Sequence, residues 1–175
     1  MINQRQKNVI LWLVRILLTI ACFVVMAWIF SNSLTSGEQS SAQSSQITEE
    51  VKDAIETIKP DVSFGGATEE EDFDILHNYV RDFAHFLEFA LLGALCTWCV
   101  RSYTNKKPFF IIPVPFCVGV AFFDEYLQKF SEGRAWQLSD VFTDSFGALS
   151  GFVFAVCVIV LVGVIIKKRN ERLIQ

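Results

Sequence analysis

Ionisable side chains recur on one face of a helix-forming segment that leads into an apolar stretch. His77, Arg81, His85 and Glu88 are spaced by four, four and three residues, which places them on the same side of an α-helix. Imidazole and carboxylate groups can serve as general bases or as metal ligands. A guanidinium can hold phosphate or carboxylate in a bidentate geometry. This face is therefore suited to anion binding or to acid–base chemistry.

Two further pairs of carboxyl groups border apolar segments. Asp124 and Glu125 follow residues 109–123, which alone span only about 22 Å, so we expect this helix to continue through both acids. Asp140 and Asp144 stand at the start of the last apolar segment. A charge in hydrocarbon costs about 2.5–3.5 kcal/mol even on the lenient insertion scale, so these groups must face inward and find partners.

Four apolar segments predict an all-α polytopic membrane protein, a four-transmembrane-helix bundle formed by one domain over residues 1–175. The predicted spans lie at about residues 9–30, 83–100, 109–127 and 143–166, and residues 31–82 form an acidic outer insert. Only 19% of the residues are charged, against about 25% in soluble domains. No basic stripe accompanies the net charge of −4, which argues against a nucleic-acid partner and leaves the lipid bilayer as the expected surroundings.

Basic residues in the short flanks predict the orientation. Lysines and arginines crowd at the N-terminus, between the second and third spans, and at the C-terminus. Such residues mark cytoplasmic flanks, so we expect both termini to be cytoplasmic. The insert and the loop 124–140 are then expected outside.

Within the insert, residues 31–45 are rich in serine and glutamine and predict a loop. Apolar residues from Ile47 to Ile58 recur at helical spacing, which predicts a short amphipathic helix ended by Pro60 and lying on the membrane or on the bundle. Thr68 with Glu71 matches a capping box. It predicts one long helix over about 69–100.

Small residues and prolines predict the packing. Gly147 and Gly151 share a face with Asp144 and form a small-xxx-small pattern that allows close helix packing. Pro113 and Pro115 are expected to kink the third span. The five cysteines lie in apolar stretches and are expected to be small apolar-facing residues rather than a disulfide framework.

Polar groups of four helices are expected at a similar depth near the outer face, where they would form one pocket. Arg81 and Arg134 are its expected cations, although the same charges could instead form a purely structural ion-pair network that neutralises the acids. The candidate pocket residues are Ser31, Ser33, Arg81, His85, Glu88, Asp124, Glu125, Gln128, Arg134, Asp140 and Asp144.

Three motifs in order resemble those of VanZ-like membrane proteins. Residues 81–89, RDFAHFLEF, are similar to R-x-x-A-H-F-x-E-[YF]; residues 124–130, DEYLQKF, resemble D-E-x-x-Q-x-F; and residues 144–151, DSFGALSG, resemble [ND]-x-x-G-A-x-x-G. Gly133-Arg134, Ser139-Asp140 and residues 30–33 also resemble family elements, whereas Asp144 stands where many members carry asparagine. The resemblance implies a bacterial cell membrane and a link to resistance against the glycopeptide teicoplanin, with which the family's namesake is associated.

Three functions are compatible with these residues. The first is an outer-face pocket that binds an anionic cell-envelope component, either a lipid headgroup or a cell-wall precursor. The second is a membrane-embedded hydrolase or transferase acting on a lipid-linked substrate, and the third is an accessory subunit with an unknown protein partner. No cofactor is predicted, although a divalent metal is the alternative, and metal content with metal-dependent activity would separate the first two functions.

Overall fold

The computed structural model describes residues 3–59 and 62–174, and these ranges contain helices and loops but no β-strand. The five α-helices are α1 (Gln4–Ser33), α2 (Gly37–Ile58), α3 (Glu69–Tyr103), α4 (Pro113–Gln128) and α5 (Leu138–Ile174), with a 3-10 turn at Lys107–Ile111. Helices α1, α3 and α5 are each long and apolar enough to cross a bilayer, as is α4 taken with its preceding turn. The all-α fold class with four potential membrane helices is therefore confirmed.

Helices α3 and α5 form the central seam of the bundle, and they share the most extensive helix–helix contact. A Cβ atom built on Gly147 would collide with the carbonyl oxygen of Phe86, and one built on Gly151 would collide with that of Ala90. From the other side, Gly93 of α3 lies equally close to the backbone of Ala148. The close backbone approach predicted from the small-residue pattern is confirmed.

A small apolar core lies where α1 and α4 cover this seam. It includes Phe89 and Leu92 of α3, Ile29 of α1 and Cys117 of α4, all almost completely buried. All five cysteines are free, as the sequence predicts. Many apolar side chains on α1 and α5 point outward, which is the surface that a helix presents to hydrocarbon chains.

The predicted loop over residues 31–45 is wrong, because α1 continues to Ser33 and α2 begins at Gly37. The Ser36 side chain caps α2 by accepting a hydrogen bond from the Gln39 N–H. Further along, the Ser44 hydroxyl donates to the carbonyl of Ser40, one turn earlier. These local bonds and packing against α3 outweigh the low intrinsic helix propensity of serine. Pro60, the predicted helix terminator, lies outside the described residues.

The long helix predicted over about 69–100 is confirmed as α3, and the Thr68 hydroxyl accepts from the Glu71 N–H at its start. The continuation of the third span through Asp124 and Glu125 is also confirmed, since α4 ends at Gln128. The prolines predicted to kink this span lie at the junction between the 3-10 turn and α4. Pro113 and Pro115 stand in the first turn of α4, where the N–H that proline lacks has no intrahelical partner.

Candidate functional site

Polar side chains collect at one end of the bundle, which we call the site end. Here α1 and α4 finish, α5 begins, and the middle of α3 passes between them. Three carboxyl groups at the site end, those of Asp124, Glu125 and Asp144, are completely buried. Because a buried carboxyl group is costly unless it is paired or hydrogen-bonded, the partners of each one define what the site can do.

Asp124 joins the ends of α1 and α4. The Ser33 hydroxyl, itself fully buried, donates a short hydrogen bond to Asp124 Oδ1. Gln128 Nε2 lies 3.4 Å from Asp124 Oδ2. The Ser131 hydroxyl donates to the Ser33 carbonyl oxygen at 2.7 Å, so the start of the α4–α5 loop is tied to the same point.

Glu125 is held by neutral donors on both carboxylate oxygens. Gln128 Nε2 donates to Glu125 Oε1 at 2.6 Å, and the backbone N–H of Gln137 donates to Oε2 at 2.9 Å. The second bond anchors the α4–α5 loop just before α5 begins. Glu125 is therefore hydrogen-bonded on both sides, and no cation of the described residues lies within 4.0 Å of it.

Asp144 differs from the other two acids. Both of its carboxylate oxygens are buried, and neither accepts a hydrogen bond from any described residue. His85 Nδ1 lies 3.9 Å from Asp144 Oδ1 and is also buried without a hydrogen-bond partner. Ligand atoms of His85, Asp124 and Asp144 all lie within 4.8 Å of one another. Three groups from α3, α4 and α5 thus converge on one point.

Arginines occupy the more open part of the site end. Arg81 Nη2 lies 3.6 Å from Asp140 Oδ2, and its Nε lies 3.9 Å from Asp82 Oδ1. Arg134, in the α4–α5 loop, has no carboxylate oxygen within 4.0 Å among the residues of the described ranges. Burial, together with the nearby charge of Arg81, lowers the pKa of Arg134, and both guanidinium groups line the same cavity.

Glu88 is bound to α1 rather than to the buried acids. Trp28 Nε1 donates to Glu88 Oε1 at 3.0 Å, and Asn32 Nδ2 donates to the same oxygen at 2.8 Å. Ser31, which the sequence places in the pocket, is exposed instead. Asn32 was missed although it lies between the two predicted serines, because only the rotation of α1 decides which of three adjacent polar residues faces inward.

Two neighbouring spaces adjoin these groups. The first is a polar cavity of about 170 Å³ between α2, α3 and the α4–α5 loop. Its lining residues are Gly37, Ser40, Ser41, His77, Arg81, His85, Gln128, Gly133, Arg134, Ala135, Gln137 and Asp140. The second is a groove of about 830 Å³ between α1, α2 and α3, with a predominantly apolar lining. Ser40, Arg81, His85 and Arg134 line both, so the two spaces are adjacent at these side chains.

The structure therefore brings together most of the sequence-predicted residues, but in two groups. Ser33, Asp124, Glu125, Gln128 and Asp144 form a buried layer, whereas Arg81, Arg134 and Asp140 line the more open cavity. His85 joins the two, because it lines the cavity and approaches Asp144. Glu88 lies at the groove. Ser40 and Ser41 of α2 are additional lining residues that the sequence did not single out, since their segment was predicted to be a loop.

Comparison with known families supports the resemblance that the sequence motifs indicate. No curated protein and no solved structure matches the chain. The profile of one family, described as VanZ/LLP1, matches residues 18–162, a stretch that contains every residue of the site end. The chain therefore belongs to the VanZ-like family.

Proposed function

We propose that this VanZ-like protein binds an anionic, lipid-linked component of the cell envelope at the outer face of the membrane. The observation that carries the proposal is the position of Arg81 and Arg134, which line both the polar cavity and the apolar groove. A ligand that reaches both spaces needs a polar head and a hydrocarbon part. A membrane lipid or a lipid-linked cell-wall precursor has this composition.

The charges that line the polar cavity favour an anionic head. The lining contains two guanidinium groups and one carboxylate, that of Asp140. Asp140 contacts Arg81 only at 3.6 Å, which leaves most of the donors of both arginines available. A phosphate between Arg81 and Arg134 would relieve their mutual repulsion. The planar fork of arginine matches phosphate oxygens in pairs.

The size of the two spaces favours a small head on a bulky tail. The cavity of about 170 Å³ has room for a phosphate-sized group and a few waters. The groove is larger, at about 830 Å³, and includes apolar side chains such as Ile47 and Val51 of α2 and Phe83 of α3. Helix α2 thus forms one wall for both parts of the ligand.

Direct binding measurements test this proposal. Purified full-length protein in neutral detergent is titrated with a polyprenyl phosphate, with phosphatidylglycerol and with phosphatidylcholine. We expect both anionic lipids to bind more tightly than the zwitterionic one. We also expect the double variant Arg81→Gln/Arg134→Gln to lose at least tenfold in affinity, since a hydrogen bond to a charged group contributes about 1.5–3 kcal/mol.

A matched control separates the site from general positive charge. Arg101→Gln removes an arginine at the opposite end of α3, where its guanidinium lies over the Phe110 ring. This variant should bind as the wild type does. Equal affinity for anionic and zwitterionic lipids, or an unchanged affinity in the double variant, would refute the proposal. Preference for polyprenyl phosphate over phosphatidylglycerol would point to a cell-wall precursor.

Glycopeptide tolerance would follow from this activity if the ligand were a precursor that the antibiotic recognises. Binding would then mask the precursor or alter its supply. Cells that produce the protein should need a higher inhibitory concentration of teicoplanin than cells that produce the Arg81→Gln/Arg134→Gln variant at equal abundance. Equal inhibitory concentrations would remove the link to teicoplanin while leaving lipid binding intact.

A further inference from the structure

The buried layer of the site end contains groups that the proposed lipid binding does not use. Asp144 has 1% of its side chain exposed, and both of its oxygens lack a hydrogen-bond partner among the described residues. Leaving a buried polar group without a partner costs about 1–3 kcal/mol, and more when the group is charged. A buried group of this kind inside a helix bundle calls for a partner of another type.

We propose that His85, Asp124 and Asp144 bind one divalent first-row transition cation, of the Mn²⁺ or Zn²⁺ class. Each residue offers one ligand atom, and the three atoms lie within 4.8 Å of one another. Imidazole nitrogen together with carboxylate oxygen is a donor set that such cations accept. The site does not depend on the identity, or the existence, of an anionic lipid ligand.

The distances favour a cation over a shared proton. His85 Nδ1 and Asp144 Oδ1 are 3.9 Å apart, which is too far for a hydrogen bond. A proton on Asp144 would therefore find no acceptor among the described residues. Two metal–ligand bonds of about 2.1 Å separate their ligand atoms by about 3.4 Å at a tetrahedral angle, so a shift of about half an ångström brings this pair into coordination.

The surroundings support the same assignment. Asp124 is oriented by the Ser33 hydroxyl and by Gln128. Such hydrogen bonds from outside the coordination sphere fix ligating carboxylates in metal sites. The described salt bridges place no lysine or arginine nitrogen within 4.0 Å of Asp124 or Asp144. A divalent ion would supply the missing positive charge.

The ion would lie beside the polar cavity, because His85 lines that cavity. Three protein ligands leave at least one coordination position for water or for another oxygen donor, as in metal sites that keep an open position. The cavity also gives the ion a route to the site.

Manganese titration of the purified full-length protein tests the site. The protein is stripped with a chelator, and free Mn²⁺ is followed by its electron paramagnetic resonance signal. Mn²⁺ is the appropriate probe because thiolates select softer ions, and four of the five cysteines lie in or beside the core. We expect one Mn²⁺ per chain, displaced by Zn²⁺.

Isosteric variants assign the ligands. Asp144→Asn should weaken Mn²⁺ binding by more than about 100-fold, since loss of outer-shell partners alone costs 10–100-fold. Its metal-free melting temperature should not fall, because Asp144 makes no hydrogen bond to a described residue that the change could remove. Asp74→Asn, in the exposed acidic first half of α3, should bind like the wild type, which excludes loose binding to the acidic insert.

Two results would overturn the proposal. One is wild-type protein that binds no Mn²⁺ with a dissociation constant below about 1 mM, the range of the weakest protein cation sites. The other is equal binding by Asp144→Asn and wild type. If Asp144→Asn fails to fold, Mn²⁺ binding by Asp124→Asn is measured and judged by the same criteria. None of these measurements uses a lipid ligand, so failure here leaves the proposed lipid binding untouched.

Discussion

Replacing Gly151 with alanine tests whether the α3–α5 seam holds the site together. A Cβ atom at this position would lie 2.6 Å from the carbonyl carbon of Ala90. Ordinary van der Waals contact begins at 3.4 Å and the carbonyl oxygen of Ala90 lies closer still, so the two backbones must separate locally by at least about 0.8 Å. A gap of this size forfeits a quarter to a half of the attraction between atoms that line it. The helices cannot move apart without cost, because this is the most extensive contact of the bundle.

The cost of Gly151→Ala follows from two opposing effects. Overpacking of a close contact costs about 3 kcal/mol when backbone rather than a flexible side chain must move. Alanine favours the helix over glycine by about 1 kcal/mol. The net loss of about 2 kcal/mol should lower the melting temperature in detergent by about 4–8 °C for a chain of this length. Gly147→Leu should destabilise more, since it adds bulk as well as a Cβ.

Gly163→Ala is the matched control on the same helix. A Cβ at Gly163 meets nothing within 4 Å, so this change keeps the propensity gain and omits the collision. We expect its melting temperature to equal or exceed that of the wild type. If Gly151→Ala and Gly163→Ala have the same melting temperature, the close backbone approach does not contribute to stability, and the reasoning about the seam is refuted.

Three further predictions concern orientation and polar contacts. Reporter fusions near Gly66 should report the outside and fusions after Lys168 the cytoplasm, and the reverse pattern would invert our assignment of the faces. Arg15→Leu should lower the melting temperature by about 3–12 °C, since Arg15 Nε donates to the Ser102 carbonyl at 2.9 Å and a hydrogen bond from a charged group contributes about 1.5–3 kcal/mol; an unchanged melting temperature would mean that this bond is fully solvated. Glu125→Gln should lower the melting temperature of the purified protein, because both carboxylate oxygens accept hydrogen bonds from N–H groups and an amide nitrogen cannot accept one; an unchanged melting temperature would show that these bonds do not stabilise the α4–α5 loop.

The sequence predicted which levels of the helices meet at the site, because the rise per residue of a helix is nearly fixed. A rise of about 1.5 Å per residue brings Ser33, His85 and Asp124 to one level whatever the details of packing. The continuation of α4 through Glu125 followed from the same arithmetic. The level at which residues on neighbouring helices meet is therefore predictable from sequence.

The rotation of each helix about its own axis was harder to predict from the sequence. Helix α1 is apolar on nearly every side, so the distribution of its apolar residues does not indicate which of Ser31, Asn32 and Ser33 faces the bundle. The proximity of His85 to Asp144 was equally hard to predict from the sequence. It depends on how α3 and α5 are turned about the Gly147 contact, which is a property of the pair and of neither helix alone.

The beginning of α2 was missed for a different reason. Its first turns are serine- and glutamine-rich, a composition that predicts a loop on propensity alone. Contact with α3 supplies the stabilisation, including a hydrogen bond between Ser44 Oγ and His77 Nε2 at 2.9 Å. Tertiary contact of this kind overrides weak local preference.

The α3–α5 seam also limits how the length of the chain can vary. His85 and Gly93 on α3, and Asp144 and Gly151 on α5, are each separated by about two helical turns, so site and seam share a face. Inserting or deleting one residue between the members of either pair would turn the site by about 100° away from the seam. Insertions and deletions should therefore be confined to the connecting segments, such as residues 62–68, while α3 and α5 accept substitutions but not changes of length.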